Sequence, residues 1–221
     1  MVADTRRVFI LVLLVLVGGV VGCSRATLQP VVELDPNVLY HDEFVAGETG
    51  EWQIEGDSAG QTAVINEQLI IELNAPHTLQ FATLNNLTFA NFVLEVDARQ
   101  VRGDVQNSYG VLFRLQDPGR FYRFEITGSG LYMLERRNAD GTWTRFLEDW
   151  APSPAINQGI NASNRLKVVA AGPVLSAYVN DVLLQEVNDD AYVAGAIALD
   201  AGTFNQPVTY VAFDNLVVRQ P

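Results

Sequence analysis

Cysteine is almost absent from this chain of 221 residues, which contains only Cys23. A single cysteine cannot form a disulfide within the chain, so a hydrophobic core has to hold the fold, and a chain of this length can bury enough surface to do so. Histidine is nearly as rare: His41 and His77 are the only two, and neither stands in a metal-ligand or catalytic-triad spacing. Phosphate-binding loops and nucleophile elbows are also missing.

Basic residues are few. The chain has 14 Lys and Arg against 26 Asp and Glu, which gives a formal net charge of −12. Such a surface repels nucleic acid and anionic lipid, so we expect neither as a direct partner. It suits a solvated, exported protein, and we expect a monomer.

Helical periodicity is missing after the N-terminal segment, and short alternating stretches take its place. "FVLEVDAR" puts Phe92, Leu94, Val96 and Ala98 on one face of a strand and charged residues mainly on the other. Similar stretches follow, separated by turns such as "DPGR", "NADG" and "ND". The pattern predicts one all-β domain, a two-sheet antiparallel β-sandwich.

The N-terminus reads as a targeting segment. Arg6 and Arg7 precede an apolar run of about 14 residues, which is short for a membrane span of about 20. The run ends in "VVGC", which resembles the bacterial lipoprotein signal. The resemblance implies cleavage after Gly22 and a diacylglycerol thioether on Cys23, a stable form of anchoring. The alternative is an uncleaved signal anchor with an incidental cysteine.

These features divide the chain into a signal peptide (residues 1–22), a tether (residues 23–37) and a sandwich domain (residues 38–221). Loss of the signal peptide would leave 25 acidic and 12 basic residues, a net charge of −13. We therefore expect a lipoprotein of the cell membrane or outer membrane that faces the periplasm or the exterior.

A family resemblance covers about residues 40 to 219. The segments "YHDEF", "NSYGVLFR", "FYRFEI", "NRLKVVAAG", "LSAYVND" and "VAFDNLVVR" occur in this order. They are similar to the concanavalin A-like jelly roll, in particular to laminin-G-like and 3-keto-disaccharide hydrolase-type domains. The resemblance implies a ligand, most commonly a sugar, on the concave sheet or its rim loops. It also implies a Ca²⁺ site at Asp42 and Asp214; the alternative is that Asp214 only makes turn or edge hydrogen bonds.

Period-two alternation suggests which side chains would meet such a ligand. We expect Arg114, Arg123 and Glu125 to share one outward face with Glu95 and Asp97. The alternative is a solvated face of cross-strand ion pairs. Aromatic rings can stack on sugars, and the candidates are Tyr132, Trp143 and Trp150; a core position is the alternative for each.

The sequence gives little support for catalysis. Laminarinase-like members of this fold use a Glu-x-Asp-x-x-Glu pattern, and Glu95 and Asp97 match its first two positions, but Gln100 replaces the third carboxylate. Nearby Arg99 and Arg114 would keep these carboxylates ionised, which disfavours a general acid. Glu95, Asp97 and Glu125 are therefore weak catalytic candidates. We expect non-catalytic binding of a carbohydrate or cell-surface ligand; the alternative is a glycoside hydrolase-like enzyme for a di- or oligosaccharide, including an oxidised one.

Overall fold

A computed structural model describes residues 35–221. Cys23 and the predicted signal peptide lie outside these residues, so the anchor stays a prediction. The described part consists of strands, turns and loops without a helix, which confirms the all-β prediction. Accordingly, residues 35–221 contain no helix with the length and apolar character that a membrane crossing needs.

Within residues 35–221, sixteen strands form two antiparallel sheets. The strands of the first sheet are Val38–Asp42 (β1), Gly60–Ile65 (β3), Gln68–Leu73 (β4), Phe92–Gly103 (β6), Ser163–Ala171 (β12), Val174–Val179 (β13), Val182–Asn188 (β14) and Thr209–Arg219 (β16). Those of the second are Trp52–Gln53 (β2), Leu79–Phe89 (β5), Ser108–Asp117 (β7), Arg120–Thr127 (β8), Leu131–Arg137 (β9), Trp143–Arg145 (β10), Ala151–Pro152 (β11) and Gly195–Gly202 (β15).

The strand orders show a sandwich in which the chain crosses repeatedly between the sheets. The first sheet runs β14-β13-β12-β6-β16-β4-β3, with β1 beside β16. The second runs β10-β9-β8-β7-β15-β5-β2, with β11 beside β9. Strands β6 and β7 are consecutive in sequence but belong to different sheets, which matters for the placement of the candidate residues.

The core lies between the two sheets and follows the predicted alternation. Phe92, Leu94, Val96 and Ala98 of β6 are at most 1% exposed and face inward. The inward residues of the second sheet include Val111 and Phe113 of β7, Tyr122, Phe124 and Ile126 of β8, and Ile197, Leu199 and Ala201 of β15. Burial of this much apolar surface is the main favourable contribution to folding.

A two-residue hairpin joins β13 and β14, as the "ND" pair predicts. Asn180 and Asp181 both have positive φ, 49° and 65°, which is the backbone form that matches the twist of a tight hairpin. The Asn180 amide donates to Ala155 O and Asn164 Oδ1, so the turn is also tied to neighbouring segments.

Candidate functional site

The outward face of the second sheet carries four charged side chains that are nearly removed from water. Arg123 and Glu125 extend from β8, Glu135 from β9 and Asp200 from β15. Glu125, Glu135 and Asp200 are 1%, 5% and 0% exposed. Apolar neighbours on the same face, Leu112, Leu115, Phe121 and Ala198, form a small second core around them. We call these four charged residues the buried charge cluster.

Arg123 is the cation of this cluster. Its Nε and Nη2 donate to Glu135 Oε1 at 3.2 and 2.5 Å. Its Nε also lies 3.1 Å from Glu125 Oε2, an ion-pair distance, but the N–H is directed at Glu135. Burial opposes the charge of Arg123, yet Glu125, Asp200 and Glu135 outweigh burial and raise its pKa.

Two carboxyl groups of the cluster face each other across a glycine. Asp200 of β15 pairs with Gly110 of β7, which pairs with Glu125 of β8. A Cβ on Gly110 would lie 2.0 Å from the carbonyl oxygen of Phe124, so this position admits no side chain that could separate the acids. A Cβ on Gly202 would lie 3.7 Å from Glu125 Oε1, which shows that the Glu125 carboxyl reaches across β7 toward β15.

Hydrogen bonding leaves this acid pair incompletely satisfied. Ser108 Oγ donates to Glu125 Oε1 at 2.7 Å. Within residues 35–221, Glu125 Oε2 and both Asp200 oxygens are buried without a hydrogen-bond partner. Buried carboxylates rarely stay unpaired, and two like charges this close favour retention of a proton by one of them.

The pKa directions and the charge balance agree with one shared proton. Burial, and then repulsion from Glu125, raises the pKa of Asp200 well above its ordinary value. Burial also raises the pKa of Glu125, although Arg123 and Ser108 pull it down. Three carboxyls stand against two guanidinium groups, Arg123 and the more exposed Arg145, whose Nε is 3.7 Å from Glu135 Oε2. One proton on the acid pair removes the excess negative charge.

An open groove lies at one end of the same sheet face. Its volume is about 590 Å³, and its lining includes His77, Gln106, Thr127, Asp149, Trp150 and Phe204. Trp150 comes from the loop between β10 and β11, and Phe204 from the loop between β15 and β16. Their rings meet edge to face with centroids 5.9 Å apart. Phe204 is 39% exposed, so apolar ring surface and hydrogen-bonding groups both face the solvent here.

The prediction of one shared charged face is wrong for Glu95 and Asp97. Arg123 and Glu125 do share the outward face of the second sheet, as expected. Glu95 and Asp97 lie on β6 of the first sheet, where they pair with Lys167 at 3.3 Å and with Arg165 at 2.9 Å. Because the sheets are separated by the core, these two carboxylates do not reach the other set.

Arg114 also departs from the predicted geometry. A bulge follows Phe113 in the β7–β8 pairing, and Arg114 has a positive φ of 48°. An extra residue at a bulge redirects the side chain. The guanidinium is 1% exposed and donates to three backbone carbonyls: Ala90 O at 2.8 Å, Gly172 O at 2.7 Å and Tyr192 O at 3.1 Å. Arg114 therefore ties three loops together, and its predicted position on the outward face is wrong.

The three aromatic candidates have different positions. Tyr132 is 8% exposed within the main core and its hydroxyl donates to Leu184 O, which is the core alternative; its ligand role stays a prediction. Trp143 packs on the outward face, edge to face with Phe121 at 5.8 Å. Trp150 lines the open groove.

The two carboxylates of the predicted cation site, Asp42 and Asp214, accept hydrogen bonds from neighbouring groups. Asp42 Oδ2 accepts from Tyr40 and Trp52, each at 2.8 Å, and Oδ1 accepts from Phe44 N at 2.7 Å. Asp214 Oδ1 accepts from the backbone N–H of Asn215. Across residues 35–221 no three His, Cys, Asp or Glu side chains come together as a metal-binding group. The Ca²⁺ site stays a prediction.

Sequence reasoning missed Asp200, Glu135 and Phe204. Asp200 is the one charged residue in "AGAIALDAG", and its outward position could be read from the alternation. Its partner could not, because the sequence does not state that β15 lies beside β7.

Comparison with known proteins identifies the family. The model of the 3-keto-alpha-glucoside-1,2-lyase-like domain matches residues 44–219, which is most of the chain. The chain belongs to this family. A search of curated proteins found no match.

Solved structures similar to this member of the 3-keto-alpha-glucoside-1,2-lyase-like family have the same fold. The carbohydrate-binding module CBM66 from Bacillus subtilis is 18% identical, with a TM-score of 0.60 over 77% of this chain and 96% of that one. The catalytic domain of an endo-1,3-beta-glucanase (laminarinase) from Thermotoga petrophila is 11% identical, with a TM-score of 0.55 over 83% and 97%. At these identities the likeness shows the fold alone: the jelly roll that carbohydrate-binding modules and glucanases share.

Proposed function

We propose that the protein binds a carbohydrate in the groove at the end of the second sheet, without catalysis. The observation that carries the proposal is the Trp150–Phe204 pair, which presents ring surface beside Gln106, Asp149 and His77. Sugars offer an apolar ring face and hydroxyl groups, and a groove with both kinds of surface suits them. The existence of a carbohydrate-binding module with the same fold supports the proposal.

The experiment is a glycan array followed by titration of the best hit, with the purified full chain in detergent. Trp150→Ala and Phe204→Ala should each weaken binding about tenfold, because an aromatic contact contributes about 0.5–1.5 kcal/mol beyond the area it buries. Tyr210→Ala is the matched control, since Tyr210 is a half-buried ring beneath Arg102 on the other sheet. Absence of any glycan hit, or equal losses in all three variants, would contradict the proposal.

We further propose that Cys23 anchors the protein to a membrane as a lipoprotein, with the domain on the outer side of that membrane. Support comes from the "VVGC" sequence at the end of the apolar run. The wild-type protein should partition into the detergent phase and show a lipid-modified N-terminal peptide by mass spectrometry. Cys23→Ser should lose the lipid-modified peptide and keep the uncleaved N-terminal segment, whereas Ser24→Ala should match the wild type. An unmodified Cys23 in the mature wild type would contradict the anchor.

A second candidate function is acid–base chemistry on a 3-keto glycoside, and the Glu125–Asp200 pair is the observation that favours it. In such an elimination a carboxylate removes the C2 proton beside the C3 ketone, and the C–H electrons form a C1–C2 double bond as the C1–O bond breaks. The leaving oxygen takes the proton that the acid pair shares, so an alcohol departs. Both acids are buried, so a substrate would first have to displace the side chains above them. Non-catalytic binding is therefore better supported. If the protein releases an alcohol from a 3-keto glucoside and Asp200→Asn loses this activity, catalysis becomes the better-supported function.

A further inference from the structure

A second feature of the same sheet face is an arginine-rich surface around Trp143. The guanidinium carbons of Arg123 and Arg137 lie 4.7 and 4.9 Å from the centroid of the Trp143 ring. Arg137 is the cross-strand partner of Trp143 in the β9–β10 pairing, and Arg145 lies two residues further along β10. Two of the 14 basic residues of an acidic chain therefore stack on one aromatic ring, and a third lies two residues away on the same strand. We call Trp143, Arg137 and Arg145 the Trp143 platform.

The guanidinium groups of Arg137 and Arg145 have N–H donors that are not used within residues 35–221. Arg123 is engaged by the buried charge cluster. Arg145 is 55% exposed, and its only ion pair within residues 35–221 is the 3.7 Å contact with Glu135, whose other oxygen Arg123 already uses. Arg137 makes no ion pair inside that range; Asp140 is close enough to feel its charge, but Asp140 Oδ1 accepts from the N–H and hydroxyl of Thr142.

The chemistry of this platform selects for a negatively charged sugar. A guanidinium group binds a carboxylate through two parallel N–H donors. Phe121 holds the indole from its edge. The chain as a whole has a net charge of −12 and repels anions. A local cluster of arginines on such a chain therefore indicates a site for an anion.

Position connects the platform to the groove. Thr127, which lines the groove, and Phe121, which contacts Trp143, are the two ends of the same strand face on β8. Six residue steps at about 3.3 Å separate them by about 20 Å. The two aromatic surfaces thus stand at opposite ends of one sheet face, which fits an oligosaccharide better than a single sugar.

We propose that the Trp143 platform is a second subsite, which binds the carboxylate of an acidic sugar unit through Arg137 and Arg145 while the neighbouring units extend to the groove. The inference rests on the proposed carbohydrate binding and adds a substrate class to it.

The test compares a tetragalacturonate with its carboxyl-reduced, neutral counterpart by titration against the full chain at low ionic strength. The acidic tetramer should bind at least about tenfold more tightly, and the preference should shrink in added salt. Arg137→Gln should abolish the preference and leave affinity for the neutral tetramer unchanged. Arg120→Gln is the matched control, because Arg120 is also exposed but is already paired with Asp117 at 2.8 Å. Thermal melting should show that both variants are folded.

The outcomes separate this inference from the function on which it rests. Equal affinity for the two tetramers, or a preference that survives Arg137→Gln, would overturn the platform while leaving glycan binding in place. If neither tetramer binds and the glycan array finds no ligand either, the proposed function fails and the platform fails with it.

Discussion

The outward faces of the two sheets carry similar charged residues at the same two-residue spacing, yet their surroundings differ. On the first sheet, Asp97 and Arg165 form an ion pair with side chains 27% and 45% exposed. On the second, Glu125 and Arg123 are 1% and 14% exposed. Water and salt screen the first pair. The second pair is buried, so its attraction is stronger, but removal of its charges from water costs free energy. Alternation thus reveals the direction of a side chain but not the depth to which its neighbours bury it.

The largest expected effect tests the cation of the buried charge cluster. Arg123→Met keeps most of the side-chain volume but leaves Glu125 without a guanidinium partner and Glu135 with only the 3.7 Å contact to Arg145. Removal of one partner from a buried ion pair destabilises a protein by about 3–5 kcal/mol. Urea unfolding at neutral pH should therefore show a loss of this size. A loss below about 1 kcal/mol would mean that water reaches the cluster and that the two faces are alike.

An intermediate effect should appear in the pH dependence of stability. The folded-state pKa of Asp200 is raised, so its contribution is complete below the unfolded value near 4 and is lost as pH rises through the folded pKa. Asp117, Asp140, Asp181 and Asp189 have lowered pKa values and are already ionised above pH 5.

Asp200→Asn isolates this contribution, because the new amide carries no charge and can donate to Glu125 Oε2. Between pH 5 and pH 9 the wild type should lose stability relative to the variant, as urea midpoints measured at each pH would show. Asp97→Asn on the first sheet is the comparison: its urea midpoint should change with pH in the same way as that of the wild type. If the difference in urea midpoint between the wild type and Asp200→Asn does not change with pH, the shared proton is contradicted.

The smallest effect is expected on the exposed face. Arg165→Met breaks the contacts to Asp97 at 2.9 and 3.2 Å, and surface pairs of this kind contribute about 0–1 kcal/mol. The same urea series used for Arg123→Met measures it. A loss as large as that of Arg123→Met would show that exposure does not separate the two sheets.

Much of the fold could be predicted from the sequence, because alternation and turn residues are local signals. The inward set of β6 and the Asn180–Asp181 hairpin follow from neighbouring residues alone. Alternation alone places Glu95 and Asp97 on the wrong face, because β6 and β7 follow one another in sequence but lie in opposite sheets. Sheet membership depends on long-range pairing, which alternation does not encode.

The candidate site was only partly predictable for related reasons. Arg123 and Glu125 obey the period of β8, whereas Arg114 sits at a bulge that adds one residue to β7 in its pairing with β15 and turns the side chain toward loop carbonyls. Asp200 acquires its significance from Glu125, which lies two strands away across a glycine. A single charged residue in an apolar strand indicates a buried charged site, but its partner can be identified only from the order of the strands in the sheet.

The pairing of β1 with β16 determines how the domain bears mechanical load. Val38 lies opposite Arg219 in this antiparallel pair, so the first and last strands meet at one end of the domain. A force that pulls these two ends apart acts along the hydrogen bonds, which lie perpendicular to the strands, and breaks them one at a time like a zipper. A force between residue 38 and the proposed binding groove on the second sheet takes another route, through the packed core, and loads many contacts at once. We therefore expect the domain to resist a pull on this groove better than a pull on its ends.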